Sequence, residues 1–121
     1  MIGNETFEDL VGKVLTKVEN ISDDQIIFYE ENGDRYILYH SQDCCESVTV
    51  EDIIGDLDDL VGVPILMADE AKNYSGEDSG DVDGSGTWTF YKLATIKGYV
   101  TIRWYGTSNG YYSEEVSFRK M

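Results

Sequence analysis

The stretch His40-Ser41-Gln42-Asp43-Cys44-Cys45-Glu46 gathers an imidazole, two thiols and two carboxylates within seven residues. Such groups can ligate zinc or pair a nucleophile with a base. The spacing suits neither use. A structural zinc site usually takes a Cys-x₂₋₄-Cys pair and two further ligands, and a second such pair is absent. Adjacent cysteines also point to opposite sides of an extended chain. A bridge between Cys44 and Cys45 would need a strained eight-membered ring, so reduced thiols are expected. The reading is a structured turn in which Asp43 caps the backbone and one cysteine is buried as a small apolar residue. No metal site or catalytic residue is assigned.

Two other groupings invite the same test. Ser79-Gly80-Asp81-Val82-Asp83-Gly84 resembles the front of a calcium loop. Positions one and twelve of such a loop require an acid and a bidentate Glu, and here they are Ser79 and Phe90. Trp104, Tyr105, Tyr111 and Tyr112 flank Gly106-Thr107-Ser108-Asn109-Gly110. Tyrosine and tryptophan offer large area with a hydrogen bond and are enriched at interfaces, although they are also ordinary strand residues. No phosphate-cradling glycine motif and no Gly-x-Ser-x-Gly elbow appears, and no cofactor is expected.

The elements that position these groups follow from periodicity. Phe7, Leu10 and Val11 are spaced for one or two helical turns that Gly12 would stop. Val14, Thr16 and Val18 begin a strand, and Asn20–Asp24 reads as a turn. Gln25–Glu31 and Asp34–His40 flank Asn32-Gly33, the signature of a hairpin with a type I′ turn. Val50, Ile53, Ile54, Leu57, Leu60 and Val61 predict an amphipathic helix over 48–61, with Glu51, Asp52, Asp56, Asp58 and Asp59 on its outer side. Pro64 opens a short strand through Met67.

Residues 73–86 are rich in glycine and acids and are expected to form a flexible loop. Trp88–Leu93, Tyr99–Gly106 and Tyr111–Phe118 then read as a three-stranded meander. In its middle strand Val100, Ile102 and Trp104 share the inward face. Tyr99, Thr101, Arg103 and Tyr105 share the other, as a second layer's contact or a binding face. The expected class is α+β: a single domain over 1–121, about seven antiparallel strands and one or two short helices.

The 121 residues carry a net charge of −15. Residues 43–83 hold thirteen acids against Lys72 alone, whereas 84–121 hold five bases and two acids. That balance opposes binding to nucleic acid or to anionic membrane surfaces. No stretch of about 18 apolar residues is present, and no secretory signal is visible, so a cytoplasmic location is expected. The acidic surface serves solubility or a basic groove on a partner.

The segments Tyr39–Glu46, Ile53–Leu60, Trp88–Lys92 and Trp104–Tyr112 resemble a family of small acidic phage and prophage proteins catalogued as a domain of unknown function. The resemblance covers most of the chain outside 73–86 and brings no activity or site residues. It implies a phage accessory setting, in which small proteins modulate host machinery or counter host defence. The expectation is therefore a non-enzymatic protein that inhibits or modulates a host factor through Glu51, Asp52, Asp56, Asp58 and Asp59. Its partner would be a host protein with a basic surface, and a homo-oligomer through the aromatic face is compatible with this reading.

The alternative is a module that sequesters a nucleotide-like signal. His40, Gln42 and Asp43 would supply hydrogen bonds, Arg103 a positive charge, and Trp104, Tyr105 and Tyr111 an aromatic surface. A third reading, a metal-dependent or thiol enzyme, would show bound zinc or a strongly reactive cysteine.

Overall fold

A computed structural model describes residues 6–40, 46–74, 85–108 and 115–121. Expectations that rest on Gln42, Asp43, Cys44, Cys45, Tyr111, Tyr112 and the 75–84 stretch lie outside the described residues. In chain order the elements are a 3-10 turn (Phe7–Leu10), β1 (Leu15–Ile21), β2 (Gln25–Glu30), β3 (Arg35–Tyr39) and β4 (Ser47–Ile54). A second 3-10 turn (Leu57–Leu60), β5 (Met67–Tyr74), β6 (Ser85–Thr95), β7 (Gly98–Ser108) and β8 (Ser117–Lys120) follow.

The strands form two antiparallel four-stranded sheets, ordered β1-β2-β3-β8 and β4-β7-β6-β5. The architecture is therefore mainly β. Among the described residues the expected α component shrinks to two 3-10 turns of four residues each.

One apolar cluster takes side chains from both sheets: Ile26, Phe28 and Leu38 from the first, Tyr91, Leu93, Ile102 and Trp104 from the second. Phe7 links them. Its ring meets Tyr91 edge-on at 4.7 Å, Phe118 at 5.6 Å and Phe28 at 6.2 Å. The Phe7–Leu10 turn is thus a plug for the core, and burial of one such side chain contributes about 1.5–3 kcal/mol. Val100, Ile102 and Trp104 are all buried, as the alternation along β7 predicts.

The predicted helix over 48–61 is instead strand β4 followed by a turn. Val48 and Val50 point inward at period two and pair with Gly106 and Trp104. A bulge between Val50 and Asp52 then shifts the register, so that Ile53 rather than Asp52 packs against the core, opposite Ile102. One extra residue in a period-two pattern produces the three-residue spacing of a helix. Leu57 and Leu60 belong to the separate turn beyond Gly55.

The hairpin β2–β3 forms with Gln25 opposite Tyr39 and Tyr29 opposite Arg35, but its turn is not type I′. Only Gly33 has positive φ there, at 98°, while the Asn32 side chain accepts from the Asp34 amide at 2.9 Å. The paired left-handed residues sit one turn earlier, at Ser22 (φ 54°) and Asp23 (φ 61°), between β1 and β2. The Asn20 side chain brackets that turn with two hydrogen bonds to Asp23. The Asp23 carbonyl in turn accepts from the Val50 amide at 2.7 Å, which ties the first sheet to the bulged edge of the second.

Three further expectations are corrected. The strand placed over Pro64–Met67 runs from Met67 to Tyr74 and pairs with β6 along its full length, Met67 opposite Ala94 and Tyr74 opposite Thr87. Asn73, Tyr74, Ser85 and Gly86, assigned to a loop, are strand residues. The meander also breaks after β7. β8 crosses to the other sheet and pairs with β3, Leu38 opposite Phe118.

Candidate binding surface

The second sheet turns Val100, Ile102 and Trp104 inward and leaves its other face without a covering layer among the described residues. β6 and β7 pair Trp88 with Tyr105 and Phe90 with Arg103 on that outer face, and β4 adds Asp52 beside Arg103. The Arg103 guanidinium lies 4.9 Å from the Trp88 ring centre and 6.0 Å from that of Phe90. Trp88 lies 4.6 Å from Tyr105 and stacks on Phe90 at 6.2 Å. Arg103 Nη1 donates to Asp52 Oδ2 at 3.4 Å, while its Nε has no hydrogen-bond partner among the described residues.

The result is an aromatic platform with an arginine over the Trp88 ring. Each partly exposed cation–π contact is worth about 0.5–1 kcal/mol. Tyr99 (74% exposed) and Ile54 (53%) extend the same face toward the Gly98 end of β7.

The five acids expected on one helix face are divided between two elements. Glu51 and Asp52 stand at the β4 bulge, Glu51 near the Thr49 hydroxyl at 3.3 Å and Asp52 against Arg103. Asp56 caps the second 3-10 turn by accepting from the Asp58 amide at 3.0 Å. Asp59 is half-buried; its carbonyl accepts the Thr95 hydroxyl, and its carboxylate approaches Gly98. Glu51 and Asp58 are exposed, and their carboxylates neither cap a turn nor pair with a cation among the described contacts; Glu51 accepts only from the Thr49 hydroxyl.

The described residues of the alternative ligand set, His40, Arg103, Trp104 and Tyr105, do not converge. The Trp104 side chain is fully buried in the core, so stacking against a ligand from that ring is excluded without opening the sheet. His40 has both ring nitrogens engaged, Nδ1 with the Glu115 carbonyl at 2.7 Å and Nε2 with Glu46 Oε2 at 2.8 Å. The side chains of this pair are only 4% and 0% exposed. It borders an open cleft of about 370 Å³ lined by Asp24, Gln25, Tyr39, Ser47, Val48 and Thr49. Arg103 and Tyr105 lie instead on the outer face of the second sheet. Among the described residues no group of three or more His, Cys, Asp or Glu side chains is placed to hold a metal.

Sequence reasoning missed Trp88 and Phe90 as members of this surface. Their signal is the alternation along β6, in which Thr89, Tyr91 and Leu93 are buried and Trp88, Phe90 and Lys92 face the other way. It also missed the His40–Glu46 pairing, because six residues of separation carry no periodic signal.

Fold and surface together define a small acidic domain of two antiparallel sheets, one of which carries an aromatic outer face that no described strand covers. The chain belongs to the family described as a domain of unknown function (DUF7448), whose model matches residues 8–118. No curated protein and no solved structure matches it. Among the described residues no helix is long and apolar enough to cross a membrane.

Proposed function

We propose that this protein is a non-enzymatic binding protein of the phage accessory type, which inhibits or modulates a host factor through its acidic surface. The observation that carries the reading is the clustering of Glu51, Asp52, Asp56, Asp58 and Asp59 along β4 and the turn that follows it, on a chain of net charge −15. β4 is an edge strand of its sheet, so these acids border an accessible margin. A basic partner would be steered there by long-range attraction and held by short contacts.

The test is capture of host proteins by the tagged chain at low and high salt, with Asp58→Lys and Glu51→Lys introduced together. The expected result is a stoichiometric partner lost both at high salt and in the double variant. Retention of that partner under both conditions would overturn the acidic-surface reading. Asp56 is left unchanged in this variant because its carboxylate caps the turn, and Asp59 because it is half-buried.

The nucleotide-sequestering alternative is favoured by one observation, the placement of the Arg103 guanidinium 4.9 Å from the Trp88 ring centre, next to Tyr105. It would no longer draw on Trp104 or His40. Equilibrium dialysis against a panel of nucleotides decides it, with retention abolished by Arg103→Ala as the expected result and no retention of any nucleotide as the disproof.

A further inference from the structure

We propose that the outer face of the β4-β7-β6-β5 sheet, centred on Trp88 and Arg103, is the contact surface itself. It docks a protein surface that has an apolar centre flanked by lysines or arginines. The inference rests on the binding-protein reading and moves the weight of the contact from the acidic turn to the sheet face.

The composition of the face is the first argument. Tryptophan, tyrosine and arginine carry most of the energy at protein interfaces, and here Trp88, Tyr105, Tyr99, Phe90 and Arg103 share one side of one sheet. The second argument is order. Trp88 is fixed by Tyr105 on one side and Phe90 on the other, and Arg103 is held between Trp88 and Asp52. Side chains already ordered in the free protein lose little rotamer freedom when a partner arrives.

Charge names the occupant. At the centre Arg103 is answered by Asp52, and Lys92 lies opposite Asp69 across the β5–β6 pair, so the middle of the face is nearly neutral. The exposed acids without a cation partner among the described contacts are Glu51 on β4 and Asp56 and Asp58 in the turn that follows it. A neutral aromatic centre with an acidic margin complements an apolar patch ringed by cations. A second copy of this chain does not fit, because two molecules of charge −15 repel each other and present acids to acids.

The experiment uses two synthetic dodecapeptides as probes, one of lysine only and one with a central Leu-Phe-Phe-Leu between lysines. Each is titrated into the isotopically labelled full chain and followed by NMR, including the Trp88 indole and Arg103 Nε–H signals. The expected result is about tenfold tighter binding of the apolar-centred peptide. Shifts should concentrate at Trp88, Phe90, Arg103 and Tyr105, and the preference should be lost in Trp88→Ala. Tyr99→Ser, at a position 74% exposed, gives a second variant that should weaken the preference without any risk to the fold.

Equal affinity for the two peptides, with shifts confined to Glu51, Asp58 and their neighbours, would overturn the sheet-face proposal and leave the acidic-surface reading standing. Binding of neither peptide would overturn both.

Discussion

His40 Nε2 lies 2.8 Å from Glu46 Oε2, while His40 Nδ1 lies 2.7 Å from the Glu115 carbonyl. A carbonyl only accepts, so Nδ1 donates to it and a single proton lies between Nε2 and the carboxylate. The imidazole thereby ties together the end of β3, the start of β4 and the segment that leads into β8. With both nitrogens occupied, it serves as a buried tie between the two sheets rather than as a base or a ligand.

Removal of one member of this buried pair takes a hydrogen bond from the other, at a cost of about 1–3 kcal/mol. Glu46→Ala is expected to lower stability by that amount in urea unfolding, and His40→Ala by a similar amount. The double variant should lose less than the sum of the two, because the two residues share the Nε2–carboxylate contact. A loss below about 1 kcal/mol for Glu46→Ala would mean that the pair is solvated.

The two tryptophans predict opposite responses. Trp104 is fully buried and Trp88 is only half-buried on the outer face. Acrylamide should therefore quench the fluorescence of Trp104→Phe, which retains Trp88, and leave Trp88→Phe largely unquenched. In unfolding measurements Trp104→Ala should cost about 3–5 kcal/mol, whereas Trp88→Ala should cost much less. Equal quenching of the two variants would contradict the assignment of the sheet's inner and outer faces.

Tyr91 sets an alkaline limit. Burial pushes its phenol well above the ordinary 10.0, and the nearby carboxylates Glu70, 3.3 Å from its hydroxyl, and Glu115 push in the same direction. The folded protein keeps this proton above pH 10, whereas the unfolded chain releases it. Ionisation therefore favours the unfolded chain, and the stability present below pH 10 is lost as the pH rises further. Burial raises Tyr36 as well, and the hydrogen bond to Glu19 raises Tyr29. Stability measured from pH 8 to 12 should fall above pH 10, and Tyr91→Phe should flatten that fall. A profile unchanged in the variant would refute the assignment.

Gly55 and Gly33 separate backbone strain from collision. Both have positive φ, 104° and 98°, which a side chain disfavours by about 1–2 kcal/mol. A Cβ at Gly33 meets nothing within 4 Å, so Gly33→Ala should cost about 1 kcal/mol. At Gly55 it would run into the backbone carbonyl of Tyr99. Gly55→Ala should cost clearly more, and the excess should appear as exchange broadening at Tyr99 and Val100. Equal costs at the two glycines would show that β4 and β7 do not approach there as described.

The features legible in residue order are those of local pattern and charge. The Asn32-Gly33 hairpin, the inward set Val100, Ile102 and Trp104 and the acidic middle of the chain are all legible, because neighbouring residues carry those signals. Tertiary structure alone decided the rest. The β4 bulge gave a strand the spacing of a helix. β5, Met67-Ala-Asp-Glu-Ala-Lys-Asn-Tyr, has no β-branched residue and is a strand because β6 offers it a full ladder of hydrogen bonds. β8 joins the first sheet because Phe118 finds Phe7, Phe28 and Tyr36 there. The Trp88–Arg103 platform and the His40–Glu46 tie likewise join residues far apart in sequence or without periodic spacing, and only the completed ladders bring them within contact distance.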